Sequence, residues 1–221
     1  MSEKNWRLKR LCVMAMICAM AYVIVATVRI PVVQWLSYEP KDVLIAIGAF
    51  LFGPLSAAIM SVVVSLVEMV TISDTGIIGM VMNILSTCLF VCSAGIIYRK
   101  SRRLSGAIIG LIVGAILTTA GMLLWNYLIT PLYMGVSREV VAGMLLPIFL
   151  PFNLFKSALN SVLTVLLYKH VVTALRAAKL IPPISESAAT QPKTRSFVVA
   201  AVSVVLLAVL IVILLMWNGI I

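Results

Sequence analysis

Six polar side chains sit where their chemistry is costly. Glu68, Asn83, Asn126, Asn153, Lys156 and Asn160 each interrupt a run of aliphatic residues. A charge at the centre of a bilayer costs about 2.5–3.5 kcal/mol on insertion scales, so such groups mark sites or partners. Asn153 and Lys156 are three apart, and Asn160 follows four later, so on a helix the three share one face. Asparagine donates and accepts hydrogen bonds, whereas lysine only donates. This set suits a neutral ligand bearing carbonyl, imino and hydroxyl groups. It suits a cation poorly, because Glu68 is the one acid expected within the membrane. The competing reading is structural: interhelical asparagine bonds plus a Glu68–Lys156 pair, each worth about 0.6–2 kcal/mol in bundles.

Other chemistry is missing. The sequence has no P-loop, HExxH or GxSxG motif. His170 is the only histidine, and no Ser/His/Asp set can be built around it. Cys12, Cys18, Cys88 and Cys92 lie in apolar runs without histidine or acid near them, so they read as packing residues and no metal site is expected. An enzyme is not expected, and neither is a bound cofactor.

The elements that must hold these residues are membrane helices. Of 221 residues, 63% are hydrophobic and 11% charged, with a mean hydropathy of +1.18. That excludes an ordinary soluble domain and a disordered chain. Apolar runs cover about residues 8–28, 42–52, 54–72, 76–98, 105–129, 146–169 and 197–217, set against the ~20 residues that a crossing needs. The second is too short to cross, stops at Gly53-Pro54, and must be buried by neighbours or extended by the connector before it. The expected fold is all-α, a polytopic membrane helix bundle. A six-helix membrane domain (1–175) leads through a cytoplasmic linker (176–196) to a seventh, C-terminal transmembrane helix (197–221). The basic N-terminus reads as leading into a retained first helix rather than a cleaved signal.

The net charge of +10 is loop charge, not a nucleic-acid footprint. With the N-terminus inside, thirteen of the seventeen Lys and Arg residues fall on the cytoplasmic side; Arg29, Lys41 and Arg138 fall outside, and Lys156 lies within the sixth run. The rule that cytoplasmic loops are basic supports this orientation. It places Glu68, Asn83, Asn126, Asn153 and Lys156 in the outer half of the membrane and Asn160 near the middle, as one outward-facing polar pocket would require. Trp35, Tyr38, Trp125, Tyr127, Tyr133, Phe149 and Phe152 crowd the same side, either as an interfacial belt or as rings that stack on a flat ligand. On the first helix Ala15 and Ala19 form a small-residue stripe with Cys12, open to a partner protein or to packing within the chain. Two matching halves with interrupted helices are not evident. Uphill transport would therefore draw its energy from another subunit.

Four segments carry a resemblance: YEPKDVLIAIGAFLFGPLSAAIMSVVVSLVEM (38–69), TGIIGMVMNILS (75–86), WNYLITPLYMG (125–135) and LPFNLFKSALNSVLTVLLYK (150–169). Over residues 8–175 the chain resembles the substrate-binding S components of energy-coupling factor (ECF) transporters, and the riboflavin-specific ones in particular. The resemblance implies six helices and one vitamin bound near the extracellular side. It also implies association with a membrane coupling subunit and two cytoplasmic ATPases, and toppling in the membrane to deliver the ligand. It implies that Asn126, Asn153 and Lys156 contact the flavin ring edge and ribityl chain, and that the connector ending at Asp42 closes the site. It further implies that the coupling subunit docks at Ala15 and Ala19. Tyr38 and Tyr127 join the candidate site as aromatics, and Glu68 and Asn83 join it from the topology. The fold is shared while pockets vary, so another vitamin, a flavin analogue, or a stand-alone carrier of a neutral metabolite are the alternatives. The tail from 178 departs from the six-helix pattern.

Overall fold

The computed structural model describes residues 3–33, 36–73, 75–181 and 193–217. Helix α1 runs over Glu3–Thr27. A short antiparallel hairpin follows, β1 (Ile30–Val33) and β2 (Leu36–Tyr38). Next come α2 (Lys41–Phe52), α3 (Pro54–Thr71), α4 (Gly76–Ser101), α5 (Leu104–Met134) and α6 (Arg138–Met144). A π-helical turn, Leu145–Phe149, joins α6 to α7 (Leu150–Ala177), and α8 covers Lys193–Trp217. Among the described residues, five helical segments are long and apolar enough to cross a bilayer: 6–27, 54–71, 76–101, 104–134 and 138–177. The protein is a multi-pass, all-α membrane bundle.

The short second run resolves as expected of a segment that cannot span. Helix α2 is about 18 Å long at 1.5 Å per residue. It sits in the middle of the bundle, packed by α1, α3, α4 and α7, and is buried from Lys41 to Phe50. Its end is set by Gly53, whose φ of 90° and ψ of 171° lie where only glycine is unstrained. The Gly53 amide still caps α2 by bonding Ala49 O at 2.8 Å, and Pro54 starts α3 at a position needing no N–H. Conversely, large aliphatic side chains such as Leu55, Val70 and Ile77 point outward, as expected for surfaces whose solvent is lipid.

Several boundaries differ from the sequence reading. The connector before α2 contains a hairpin. Helix α5 continues through Pro131 to Met134, beyond the expected end at 129; proline deprives only one carbonyl of its partner there, and the Gly135 amide bonds Pro131 O at 3.1 Å to close the helix. The sixth segment starts at Arg138 rather than 146. Pro147 has no N–H and crowds the preceding turn. The helix widens there, and the Leu150 amide reaches back five residues to Leu145 O. The expected linker falls largely on 182–192, which lie outside the described residues.

Helices α4 and α5 meet along a glycine seam. A Cβ added to Gly110 would stand 2.7 Å from Ala94 O, and one on Gly114 would stand 2.6 Å from Phe90 O. Both contacts are with backbone, which cannot swing aside. A Gly114→Val substitution is therefore expected to cost about 1–3 kcal/mol, the usual range for overpacking. It should lower the thermal midpoint of the detergent-purified protein, whereas Ile112→Val, on an exposed face, should leave it in place.

Candidate ligand-binding site

The hairpin end of the bundle holds a continuous polar network. It begins with Lys41 and Asp42, which open α2 and are each 1% exposed. Because α2 is central rather than spanning, its first turn is carried into the protein instead of into solvent. Two adjacent charges are thereby committed to finding partners inside. Asp42 also stands at a helix N-terminus, where the backbone amides favour an anion.

Lys41 Nζ contacts Glu68 Oε2 on α3 and lies 3.1 Å from Glu39 Oε2. Asn83 of α4 donates to the same Glu68 oxygen at 3.1 Å. Glu39 pairs in turn with Arg29 Nε at 3.3 Å. Burial would raise the Glu39 carboxyl, but the nearby Lys41, Lys156 and Arg29 charges outweigh it and hold the group below the usual carboxylate range. On the other side, Asp42 Oδ1 accepts from Thr87 Oγ1 at 2.7 Å. Asp42 Oδ2 accepts from Asn160 Nδ2 at 3.2 Å and pairs with Lys156 Nζ at 3.7 Å. Asn160 Oδ1 accepts the Tyr38 hydroxyl at 2.8 Å. One network thus ties the hairpin, α2, α3, α4 and α7 together.

Three cations (Arg29, Lys41, Lys156) face three anions (Glu39, Asp42, Glu68). The region is balanced, which still favours a neutral ligand. The route to that balance differs from the sequence reading. Glu68 pairs with Lys41, not Lys156, and it is not the only buried acid, because Asp42 lies beside it in the bundle. Lys41, Glu39 and Thr87 were missed. Lys41 had been counted as a loop charge; the signal was its place at the start of a helix too short to span, with Glu68 one helix later.

The asparagines divide into two kinds. Asn83 and Asn160 bridge helices, as the structural reading requires. Asn126 and Asn153 do not. Asn126 Nδ2 donates to Met122 O at 2.7 Å, and its Oδ1 accepts from Thr130. Asn153 Nδ2 donates to Phe149 O at 2.7 Å. Both side chains are buried, and the bonds they make lie within their own helix. Interhelical glue does not account for them. Among the described residues no hydrogen bond joins Asn126, Asn153 and Lys156 to one another. Among the described residues Lys156 has one distant ion pair, so its ammonium keeps donors to offer, and the Asn153 oxygen keeps an acceptor. Glu68 Oε1 and the Trp125 indole N–H are also buried without partners among the described residues.

The remaining candidates are placed as follows. Tyr38 is buried and meets Phe155 edge-on at 6.5 Å. Tyr127 is exposed, with the Arg138 guanidinium 5.6 Å over its ring, and stands apart from the network. Trp35 lies outside the described residues. Cys12, Ala15 and Ala19 share an exposed face of α1 and are not consumed by packing within the chain. The described residues hold no cluster of three or more His, Cys, Asp or Glu that fits a metal ion.

Comparison with known proteins gives a consistent picture. The model of the family "ECF transporter, substrate-specific component" matches residues 9–168. The chain is similar to the riboflavin transporter RibU of Staphylococcus aureus (strain TCH60), with 29% identity over 178 residues, covering 76% of this chain and 93% of the relative. Its fold is similar to a solved S component of a bacterial ECF transporter, with a TM-score of 0.65 and 27% identity, covering 77% of this chain and 99% of the other. The family match ends within α7, so α8 lies beyond it.

Proposed function

Since the chain belongs to the family of ECF transporter substrate-specific components, we propose that the solute it captures is riboflavin, taken up from outside the cell membrane with its N-terminus in the cytoplasm. The observation that carries the ligand is the likeness to a riboflavin transporter over 178 residues. The chemistry of the hairpin end supports it. Riboflavin is neutral, flat and polar-edged, with a polyol tail. A charge-balanced region containing spare lysine donors, an unspent asparagine acceptor and buried rings fits those features. Lys156 and Asn153 face the ring edge and ribityl chain from α7, and Asn126 faces them from α5. Asp42, Asn160 and Tyr38 fix the hairpin and α7 around them. Riboflavin is cargo here, not a cofactor, and the chain performs no chemistry on it. The basic residues gathered between alternate helices support the orientation.

The test is direct. Riboflavin added to the detergent-purified chain should lose its fluorescence saturably at one equivalent. Flavin mononucleotide should compete more weakly, and a vitamin with no flavin ring should not compete. Absence of saturable quenching would remove riboflavin as the ligand, and preference for a different vitamin would reassign the specificity within the family.

Energy comes from partners: a membrane coupling subunit and two cytoplasmic ATPases. The small-residue face of α1, bearing Ala15 and Ala19, is the docking surface, since small side chains allow close helix approach. Its exposure supports this use. Ala15→Trp should therefore abolish uptake by cells or by reconstituted complex while riboflavin quenching by the purified chain stays as in the wild type. Loss of quenching would place Ala15 in the fold rather than at the docking face.

A further inference from the structure

The hairpin that leads into the site is too small to hold itself. An isolated two-stranded hairpin is marginal in water even with good pairing. Here the strands have four and three residues. Their register is irregular between Pro31 and Val33, and proline contributes no amide to the ladder. The hairpin must be held by what packs on it. Val32 and Tyr38 are buried with Phe152, Phe155 and Leu159 of α7, and Ile30 and Leu36 flank them. Leu207 and Leu210 close the same cluster. They belong to α8, which packs along α7 and also touches β1.

We propose that α8 is part of the binding machinery: Leu207 and Leu210 are positioning residues that clamp the β1–β2 hairpin onto α7 and so set how fast ligand enters and leaves. The chain continues from Tyr38 through Glu39 and Pro40 to Lys41 and Asp42, so lifting the hairpin pulls on the polar network at its start. The Tyr38–Asn160 bond and the leucine contacts act on the same few residues from two sides, one polar and one apolar. The opposite face of α8 is lipid-facing, with Val204, Val205 and Val212 exposed. The clamp is therefore local to one stripe. Because α8 lies beyond the family match, the device is specific to this chain's extension.

The proposal rests on the riboflavin reading, and the experiment keeps the two apart. Binding and release of riboflavin by the full-length purified protein are followed by stopped-flow fluorescence. Wild-type protein that does not quench riboflavin defeats the ligand reading. For a wild type that binds, Leu207→Ala/Leu210→Ala should raise koff about tenfold, corresponding to ~1.4 kcal/mol. It should also raise kon, because entry passes the same hairpin, while the amplitude at saturation is unchanged. Leu207→Met/Leu210→Met should restore both rates. Val205→Ala/Val212→Ala, on the exposed face, should match the wild type. A general loss of folding would instead lower the amplitude and leave kon unimproved, and it would overturn the clamp. So would unchanged rates in the alanine pair, or equal acceleration in the exposed-face control. If the double variant does not purify, Leu210→Val alone should still accelerate release, and wild-type rates there refute the proposal.

Discussion

A Lys41→Met variant is expected to lose about 3–5 kcal/mol of stability, the range found when one member of a buried ion pair is removed. Lys41 is buried between Glu68 and Glu39, and its ammonium is the charge on which both carboxylates depend. Glu39 keeps Arg29, but Glu68 keeps only the Asn83 amide among the described residues. Among the described residues one Glu68 oxygen is already without a partner, so the methionine variant leaves a buried anion nearly uncompensated. Thermal unfolding of the purified protein should show a large fall in midpoint. The double variant Lys41→Met/Glu68→Met removes both charges and should recover most of the loss, because replacing a whole buried pair by apolar residues is often neutral. Equal destabilisation in the single and double variants would mean that Lys41 acts alone rather than through Glu68.

The same pair explains what the sequence could and could not reveal. Long apolar runs and the Gly53-Pro54 break fixed the helices, because in a bilayer every backbone group must be satisfied within its own segment. The length of α2 left two outcomes, burial by neighbours or extension by the connector, and the fold takes the first. The hairpin did not show, since seven strand residues containing a proline give no readable alternation. The end of α5 lies past the apolar run because Pro131, near a helix terminus, removes little. At the site, the residue types were visible and their partners were not. Lys41 looked like a loop charge because adjacency in sequence to Pro40 and Glu39 suggests solvent, whereas its burial is a consequence of tertiary placement. Likewise Asn83 and Asn160 look the same as Asn126 and Asn153 in the sequence. Only the fold shows that the first two bond between helices and the other two within their own.

That division predicts a variant with the opposite phenotype. Lys156→Ala should weaken riboflavin binding by about 10- to 100-fold, from the ~1.5–3 kcal/mol of a hydrogen bond to a charged group, and leave the fold nearly intact. Its only ion pair among the described residues is the 3.7 Å contact with Asp42, and its side chain is 12% exposed. Asp42 does not depend on it, because Thr87 and Asn160 still donate at 2.7 and 3.2 Å. Asn153→Ala should behave in the same way, since it gives up only an intrahelical bond to Phe149 O and the spare acceptor. Asn160→Ala should not. It cuts Tyr38 from Asp42 and should lower both affinity and thermal midpoint. Titration of riboflavin fluorescence alongside thermal unfolding separates the three. Unchanged affinity in both Lys156→Ala and Asn153→Ala would show that α7 holds the bundle together but does not touch the vitamin, and the site would have to be sought elsewhere.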